Sequence, residues 1–484
     1  MNRSYTLTDI LHQQACLTPD NIYIVYNDHS LTYREADELT DRLAAHLLSL
    51  GVKHEQVVGV MINRSELMFV YSMAVMKAGG TYMPLDSHFP EDRLMFMCED
   101  ADVRIILSDD GLVQKVLPAF QGIVFESNQI ASLPTVPAVL PEVKPEDRMV
   151  ILYTSGSTGK PKGVELEQYG IVNYCYAYAD LISMQASDRI VAYANYGFDV
   201  HMMDIYPPMT VGASVYILPD DMRYDLAAMH DYMEENGITV GFMTTTIATQ
   251  MASLFPSTTL RVFAGGGEKM PPITPPANYR FINFYGPTET SIGATCYDVK
   301  NYFEGEYIGR PLPGYKVYVV DKHLNEVAEG ESGELLIAGT GVARGYLNRP
   351  ELTAEKFIEF NGERAYRSGD LVRWATDPRD GSKQIEFLGR IDGQVKLRGL
   401  RIELGEVENR VAAFPAVQQV CVDVKEIGGQ QNLVCYYTLK NDTLQPVLSQ
   451  SKGYDNGKAY TIMGTEAPAG YKGIVIKNGR KVIQ

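Results

Sequence analysis

The sequence predicts an α/β fold: a large N-terminal core of parallel and mixed β-sheets flanked by helices, a β-rich lobe, and a small, mobile α+β subdomain at the C-terminus. Three observations predict it. Apolar runs of strand length alternate with helix-spaced segments from about residue 31 to residue 290. Short alternating strands with Gly/Pro turns take over from about Lys316. Past Gly389 the chain turns highly charged, in GRIDGQVKLRGLRIELGEVENRV, which mixes a strand and a helix as a hinge and lid require. A chain of 484 residues also exceeds one simple core. We expect the core at 1–391, with its β-rich lobe at about 310–391, and the C-terminal subdomain at 392–484.

The elements follow in order. Leu31-Thr32-Tyr33 opens a helix whose Ala36, Leu39, Leu43 and Leu47 recur at helical spacing, and Gly51 stands where a C-terminal cap belongs. Val57 to Ile62 reads as a strand, and a second helix runs from near Ser65 to Ala78-Gly79-Gly80. Short strands appear at Arg104 to Leu107 and Ile123 to Phe125, before a Pro-rich connector from Leu133 to Pro145. Further strands are expected at Arg189 to Ala194, Ser214 to Leu218 and Ile238 to Met243. Leu260 to Gly267 and Arg280 to Glu289 are apolar runs ending in Gly-rich or polar turns, and such turns are where ligands of α/β proteins sit. Lys316 to Val320, Glu334 to Ala338 and Gln384 to Leu388 are the strands of the β-rich lobe. Together they predict a largely parallel sheet in the core.

One stretch stands apart. Met149-Val150-Ile151-Leu152, a short buried strand, leads into Tyr153 to Gly163, YTSGSTGKPKG. Glycines let a backbone approach a bulky anion, and hydroxyls and ammoniums bind phosphate oxygens. The spacing is not that of a Walker loop. The competing reading is a flexible Ser/Gly linker, but linkers rarely follow a buried strand or carry a Lys-Pro-Lys clamp. The stretch alone therefore points to a polyphosphate, held by a non-Walker device.

Composition narrows the field. A net charge of −17 argues against nucleic acid or an anionic membrane as the main partner. The six cysteines are scattered with no CxxC pair, and the histidines show no metal-ligand spacing, which fits a reducing cytoplasm. The N-terminus has no apolar signal core, and no run reaches the roughly 18 apolar residues that span a bilayer.

Three further features surround the loop. The turn Asn283-Phe284-Tyr285-Gly286-Pro287-Thr288-Glu289 offers an aromatic for a base and a carboxylate for Mg²⁺. Asp199 lies in the apolar stretch FDVHMMDIY, where an unpaired charge is costly unless a ligand ammonium offsets it; a helix cap is the alternative. Asp370, in Tyr366-Arg367-Ser368-Gly369-Asp370-Leu371, is placed to accept from a ribose diol or to close an Asx-type turn.

With LTYREADEL, KAGGTYMPLD, YTSGSTGKPKGV, FDVHMMDIY, NFYGPTE, GELLIAGTGVARGYLNRPELT, YRSGDL and GRIDGQVKLRGLRIELGEVE in order, the sequence resembles an adenylation domain of nonribosomal peptide synthetases, within the adenylate-forming enzymes. The resemblance runs from about residue 7 to about 440; Gln168, where many relatives have His, is a departure of little expected consequence. It implies ATP and Mg²⁺ as cofactors, and an amino acid as substrate. It further implies a phosphopantetheine thiol on a peptidyl carrier protein, in trans or on a neighbouring domain, as acceptor. Thr154, Ser155, Gly156, Ser157, Thr158, Gly159 and Lys162 would then handle the phosphates. Asn283, Tyr285, Gly286 and Thr288 would hold the nucleotide, and Glu289 the metal. Asp370, with Arg390 nearby, would bind ribose, and Asp392 would be the hinge.

The resemblance also implies a side-chain pocket: Asp199 for the α-ammonium, then Val200, Met203, Phe242, Phe263, Gly265, Phe284, Ile292 and Gly293. Apart from Asp199 it has no charge, so an apolar amino acid is expected, because a polar side chain would be buried unpaired. Gly265 leaves depth while three phenylalanines narrow the cavity, which favours Val, Leu, Ile or Met.

The resemblance stops at about residue 440. Family members end in a motif of the type LPLTxNGK; here 44 residues follow Lys440, and the nearest match is Ile476-Lys477-Asn478-Gly479-Arg480-Lys481. Residues 451–484 carry six Lys/Arg and two Asp/Glu, a net +4 in an acidic chain. Either Arg480 and Lys481 are a degenerate catalytic end, or an unrelated tail has truncated or replaced the subdomain. Three functions compete: an amino-acid-activating ligase, a D-alanine carrier-protein ligase, and a non-catalytic nucleotide- or amino-acid-binding remnant.

Overall fold

The computed structural model describes residues 5–134, 139–155, 161–391, 394–397, 400–427, 430–439, 459–461, 474–477 and 480–483. Two compact units divide it: Met1–Thr154 with Lys162–Asp392, and Ser155–Pro161 with Gly393–Gln484.

The first unit holds two sheets, in keeping with the parallel and mixed β-sheets expected of the core. The smaller has seven strands, ordered Gly345–Tyr346, Lys162–Glu167, Arg148–Thr154, Thr81–Pro84, Val57–Met61, Ile105–Ser108, Ile123–Glu126. Its last five strands are parallel. Arg148–Thr154 and Lys162–Glu167 are antiparallel, with Thr154 opposite Lys162. The glycine stretch therefore links two antiparallel strands. A Walker loop instead joins a strand to a helix.

The larger sheet has fourteen strands. Its centre is parallel: Ser214–Ile217, Arg189–Ala192, Val240–Thr244, Val262–Gly266 and Arg280–Tyr285. Thr295–Val299 then pairs antiparallel, and the path continues through Tyr307–Pro311, Lys383–Arg390, Glu363–Thr376, Ser332–Gly339 and Tyr315–Val320. The β-rich lobe is thus an extension of the core sheet, joined through the two residue pairs Thr295–Pro311 and Cys296–Arg310. Apolar side chains from both sheets, among them Val58, Val150, Leu166, Val240, Ala264 and Ile282, share one core.

Local chemistry explains the helices. Thr32 and Glu35 form a capping box at the start of Tyr33–Ser49, and Tyr33, Ala36, Thr40, Leu43 and Leu47 bury one face. Gly51, at φ +90°, closes the exit. Leu67–Lys77 buries ten of its eleven residues, so it shows no amphipathic period. Its buried Lys77 is held by Asp37 Oδ1 at 2.6 Å. Gln168 opens the buried helix Gln168–Leu181, and its Oε1 accepts from Leu7 N–H at 3.1 Å, tying down the N-terminal helix Leu7–Leu17.

In the second unit Gln394–Leu397 pairs with Leu400–Glu403, the helix Leu404–Ala412 follows, and Val417–Ile427 pairs with Gln430–Leu439. The tail contributes a three-stranded antiparallel sheet of Ala459–Thr461, Ile474–Lys477 and Arg480–Ile483. Among the described residues no helix is long and apolar enough to cross a membrane.

Candidate active site

The hairpin, the turn after Tyr285 and the edge strand Gly345–Tyr346 bring three side chains together. Lys162 Nζ lies 3.3 Å from Glu289 Oε1 and donates to Tyr346 Oη at 3.1 Å. Tyr346 Oη in turn donates to Glu289 Oε1 at 2.7 Å, and its ring centroid lies 4.4 Å from the ammonium. Glu289 is wholly buried. Backbone bonds fix the cluster: Leu347 N–H donates to Gly163, and Ala343 N–H to Glu289. Tyr346 is a member that sequence reasoning missed, although it lies within the quoted motif GVARGYLNRPELT. Thr154 Oγ1, at the mouth of the hairpin, is buried without a hydrogen-bond partner. Such an orphaned hydroxyl fits a ligand oxygen. Ser155 is buried; Gly156, Ser157, Thr158 and Gly159 lie outside the described residues, as does Asp392.

A second cluster assembles the nucleoside candidates. Tyr285 Oη donates to Asp370 Oδ2. Arg390 Nη1 donates to Asp370 Oδ1 at 2.9 Å and to the Ser368 carbonyl at 2.9 Å. Burial and then the neighbouring Asp370 charge push the Tyr285 phenol well above its usual range, so it remains a donor. Asn283 Nδ2 donates to the Tyr307 carbonyl at 3.0 Å, which fixes the amide plane. Thr288 and Glu289 sit in a 3₁₀ turn, Thr288–Thr290. Gly286 precedes it because a Cβ there would lie 2.4 Å from the Ile292 carbonyl.

The amino-acid candidates divide. Val200, Met203, Phe242, Phe284 and Ile292 join the core shared by the two sheets. A Cβ added at Gly293 would meet the Tyr174 and Phe284 rings on the same side. Phe263, by contrast, packs with Tyr279 and Phe281 in a second cluster on the opposite face. A Cβ at Gly265 would meet Ala248 Cβ at 3.2 Å and Met270 Cε at 3.3 Å. Neither Phe263 nor Gly265 therefore joins the other five, and Gly265 gives no depth beside them. The reason is register: Phe242 pairs with Ala264, and Phe284 with Gly266, so residues 263 and 265 point the other way.

Asp199 ends the loop before the helix His201–Ile205, whose N-cap is Val200 and which has no side-chain cap hydrogen bond. Ile292 has φ +77°, and Gly293 N–H donates to the Ser291 carbonyl at 3.1 Å, a γ-turn with positive φ. A β-branched residue there is strained, and such strain concentrates at functional sites.

The structure also brings His54, Glu55 and Asp147 within metal-ligand distance, which their sequence spacing hides. Both Glu55 oxygens are engaged by Arg344, at 2.8 Å each. Arg480 and Lys481 fall on the last strand of the tail sheet.

Comparison with known proteins gives the class. Residues 11–347 match the AMP-binding enzyme family. The chain belongs to that family, and within it to the adenylation domains of nonribosomal peptide synthetases. It is 36% identical over 442 residues to bacitracin synthase 1 of Bacillus licheniformis, covering 90% of this chain and 8% of that protein. It is 35% identical over 452 residues to tyrocidine synthase 1 of Brevibacillus parabrevis, covering 91% and 41%. Among solved structures it resembles NpsA-ThdA, an artificially fused adenylation-PCP di-domain from Klebsiella oxytoca, with TM-score 0.82 and 26% identity over 90% of this chain and 89% of that one. Holo-PA1221, a protein containing adenylation and PCP domains, gives TM-score 0.79 at 25% identity, covering 91% and 77%. The chain spans 8% and 41% of the lengths of the two synthases.

Proposed function

We propose that this domain activates an apolar α-amino acid with ATP, forming an aminoacyl-AMP and pyrophosphate, and then passes the aminoacyl group to the phosphopantetheine thiol of a carrier protein. The observation that carries this is the wholly buried Glu289 carboxylate held 3.3 Å from the Lys162 ammonium beside the glycine hairpin. A buried acid with an adjacent cation and an orphaned Thr154 hydroxyl fits Mg²⁺ and a polyphosphate. Mg²⁺ would be held by Glu289 and would neutralise phosphate charge.

The chain's own residues do the rest. The substrate carboxylate attacks the α-phosphorus in line, and the bond to pyrophosphate breaks. Lys162 stabilises the departing charge. Asp370 and Arg390 orient the ribose, Tyr285 and Asn283 the adenine, and Asp199 the α-ammonium. Val200, Met203, Phe242, Phe284 and Ile292 give an uncharged side-chain site. One methylene changes selectivity only about 10- to 200-fold, so several aliphatic amino acids compete. The carrier-protein step is supported by the adenylation-PCP architecture of the two solved relatives. The hinge at Asp392 and a cytoplasmic location belong to the same reading; the cysteines are all free thiols.

Mass spectrometry tests it. Incubation with Mg²⁺, ATP and leucine, valine, isoleucine or methionine should yield the corresponding aminoacyl-AMP. A holo-carrier protein added next should gain the aminoacyl mass. Formation of AMP conjugates only with fatty acids, or with none of these substrates, rules the proposal out.

A further inference from the structure

The loop that presents Asp199 is held from outside the proposed pocket. Asn195 Nδ2 donates to Asp86 Oδ2 at 2.9 Å, and Asn195 Oδ1 accepts from Gly197 N–H at 2.8 Å. Asp86 Oδ1 in turn accepts from the backbone N–H and the Nδ1 of His88, both at 2.9 Å. Asp86 follows the strand Thr81–Pro84 of the smaller sheet, and Asn195 follows Arg189–Ala192 of the larger. The pair therefore bridges the two sheets at the C-terminal ends of their strands.

Two further contacts fix the same loop. At its base, Asp204 accepts from the N–H groups of Tyr193 and Ala194, both at 3.0 Å. At its far end, His201 Nδ1 donates to the Phe198 carbonyl at 2.5 Å, while Tyr82 Oη lies 3.3 Å from His201 Nε2. Between these anchors the Asn195 turn lies next to Asp199: Phe198 N–H donates to the Asn195 carbonyl at 3.1 Å, and Met202 N–H donates to the Asp199 carbonyl at 3.0 Å.

We propose that Asp86 and Asn195 are positioning residues for amino-group recognition: their hydrogen bond sets the loop that places the Asp199 carboxylate. This rests on the reading of Asp199 as the partner of the substrate α-ammonium. Their role is to act through the loop. A displacement of about 1 Å at a positioned group lowers rate on the order of 100-fold, so the loop is sensitive to its anchor.

The pair has an exchange that preserves every bond. In Asp86→Asn with Asn195→Asp, residue 86 donates from its amide and still accepts from His88, while residue 195 accepts from both residue 86 and Gly197. Each single change instead sets two donors or two carboxylates face to face.

The test is amino-acid-dependent pyrophosphate exchange on the whole chain, comparing L-leucine with its des-amino analogue 4-methylpentanoate. Asn195→Asp and Asp86→Asn should each raise the KM for leucine by about tenfold or more and erode the preference for leucine, with the KM for ATP changed less than about twofold. The double exchange should restore both readouts. Asn195→Ala, which introduces no charge, repeats the test should a single variant melt below assay temperature. If Asp199→Ala abolishes the preference but Asn195→Ala and the single exchanges leave it intact, the positioning role is overturned. If Asp199→Ala itself leaves the preference intact, the underlying reading of Asp199 fails, and the proposal falls with it.

Discussion

At the scale of single residues, the site is two buried acids, each held by a tyrosine and a cation. Glu289 has Tyr346 and Lys162; Asp370 has Tyr285 and Arg390. In both pairs the phenol orients the carboxylate and the cation offsets its burial. If Glu289 holds Mg²⁺ as proposed, the first pair predicts that Tyr346→Phe weakens that hold. The Mg²⁺ concentration giving half-maximal exchange should rise several-fold, with the KM for the amino acid unchanged. Lys162→Ala should lose about 10²–10³ in kcat, as expected for a preorganised cationic donor. In the second pair, Asp370→Ala should raise the KM for ATP by roughly 10- to 100-fold, while Tyr285→Phe, which leaves the carboxylate in place, should raise it less. Steady-state exchange at varied ATP checks both. Lys162, Glu289 and Asp370 were legible because each is a charge inside an apolar or glycine-rich run. Tyr346 was not, because an aromatic on a short strand reads as core until its hydroxyl is seen to reach Glu289.

At the scale of elements, the hairpin Arg148–Thr154/Lys162–Glu167 carries the phosphate candidates, and the Gly345–Tyr346 strand locks its outer edge. Arg344, just before that strand, joins Glu55 through two 2.8 Å bonds and Glu167 through another. Burial opposes the Glu55 charge, but the Arg344 and Arg148 contacts outweigh it and hold its pKa down to about 2. The folded value lies below the unfolded one, so this contribution to stability is complete above about pH 4.5 and is lost as pH falls towards 2. Glu55→Gln should lower the melting temperature at pH 7, by about 1–3 kcal/mol of stability at most given partial exposure. The deficit should shrink as both proteins are melted at successively lower pH.

The same scale shows what the sequence could not convey. Many strands, among them Val57–Met61, Arg189–Ala192 and Val240–Thr244, were legible from apolar runs and turn residues, but Lys162–Glu167, Thr295–Val299, Tyr307–Pro311 and Glu363–Thr376 were not. Nor was the pairing that sorts the strands into a seven-stranded and a fourteen-stranded sheet. The side of the sheet that Phe263 and Gly265 occupy was likewise hidden: each strand's alternation is visible, but its register against a neighbour is not. Helix Gln168–Leu181 escaped because burial around nearly its whole circumference removes the amphipathic period.

At the scale of the whole molecule, the AMP-binding family match covers residues 11–347, and the tail lies beyond it. Charge balance and the missing motif marked the tail from the sequence, and its described segments form a small antiparallel sheet ending in Arg480–Ile483. We propose slow adenylation if the tail does not supply the family's lysine, since losing one preorganised cationic donor costs about 10²–10³ in rate. If the tail is the catalytic end, Arg480→Ala with Lys481→Ala should cut exchange about 100-fold; if it is an unrelated addition, the rate should stay within about twofold. The central claim, activation of an apolar amino acid, is tested most directly by ATP–pyrophosphate exchange on this chain with each of the twenty L-amino acids and D-alanine. The account predicts exchange that peaks with valine, leucine, isoleucine or methionine. A peak with aspartate, lysine, arginine or D-alanine, or no exchange above background with any of them, would contradict it.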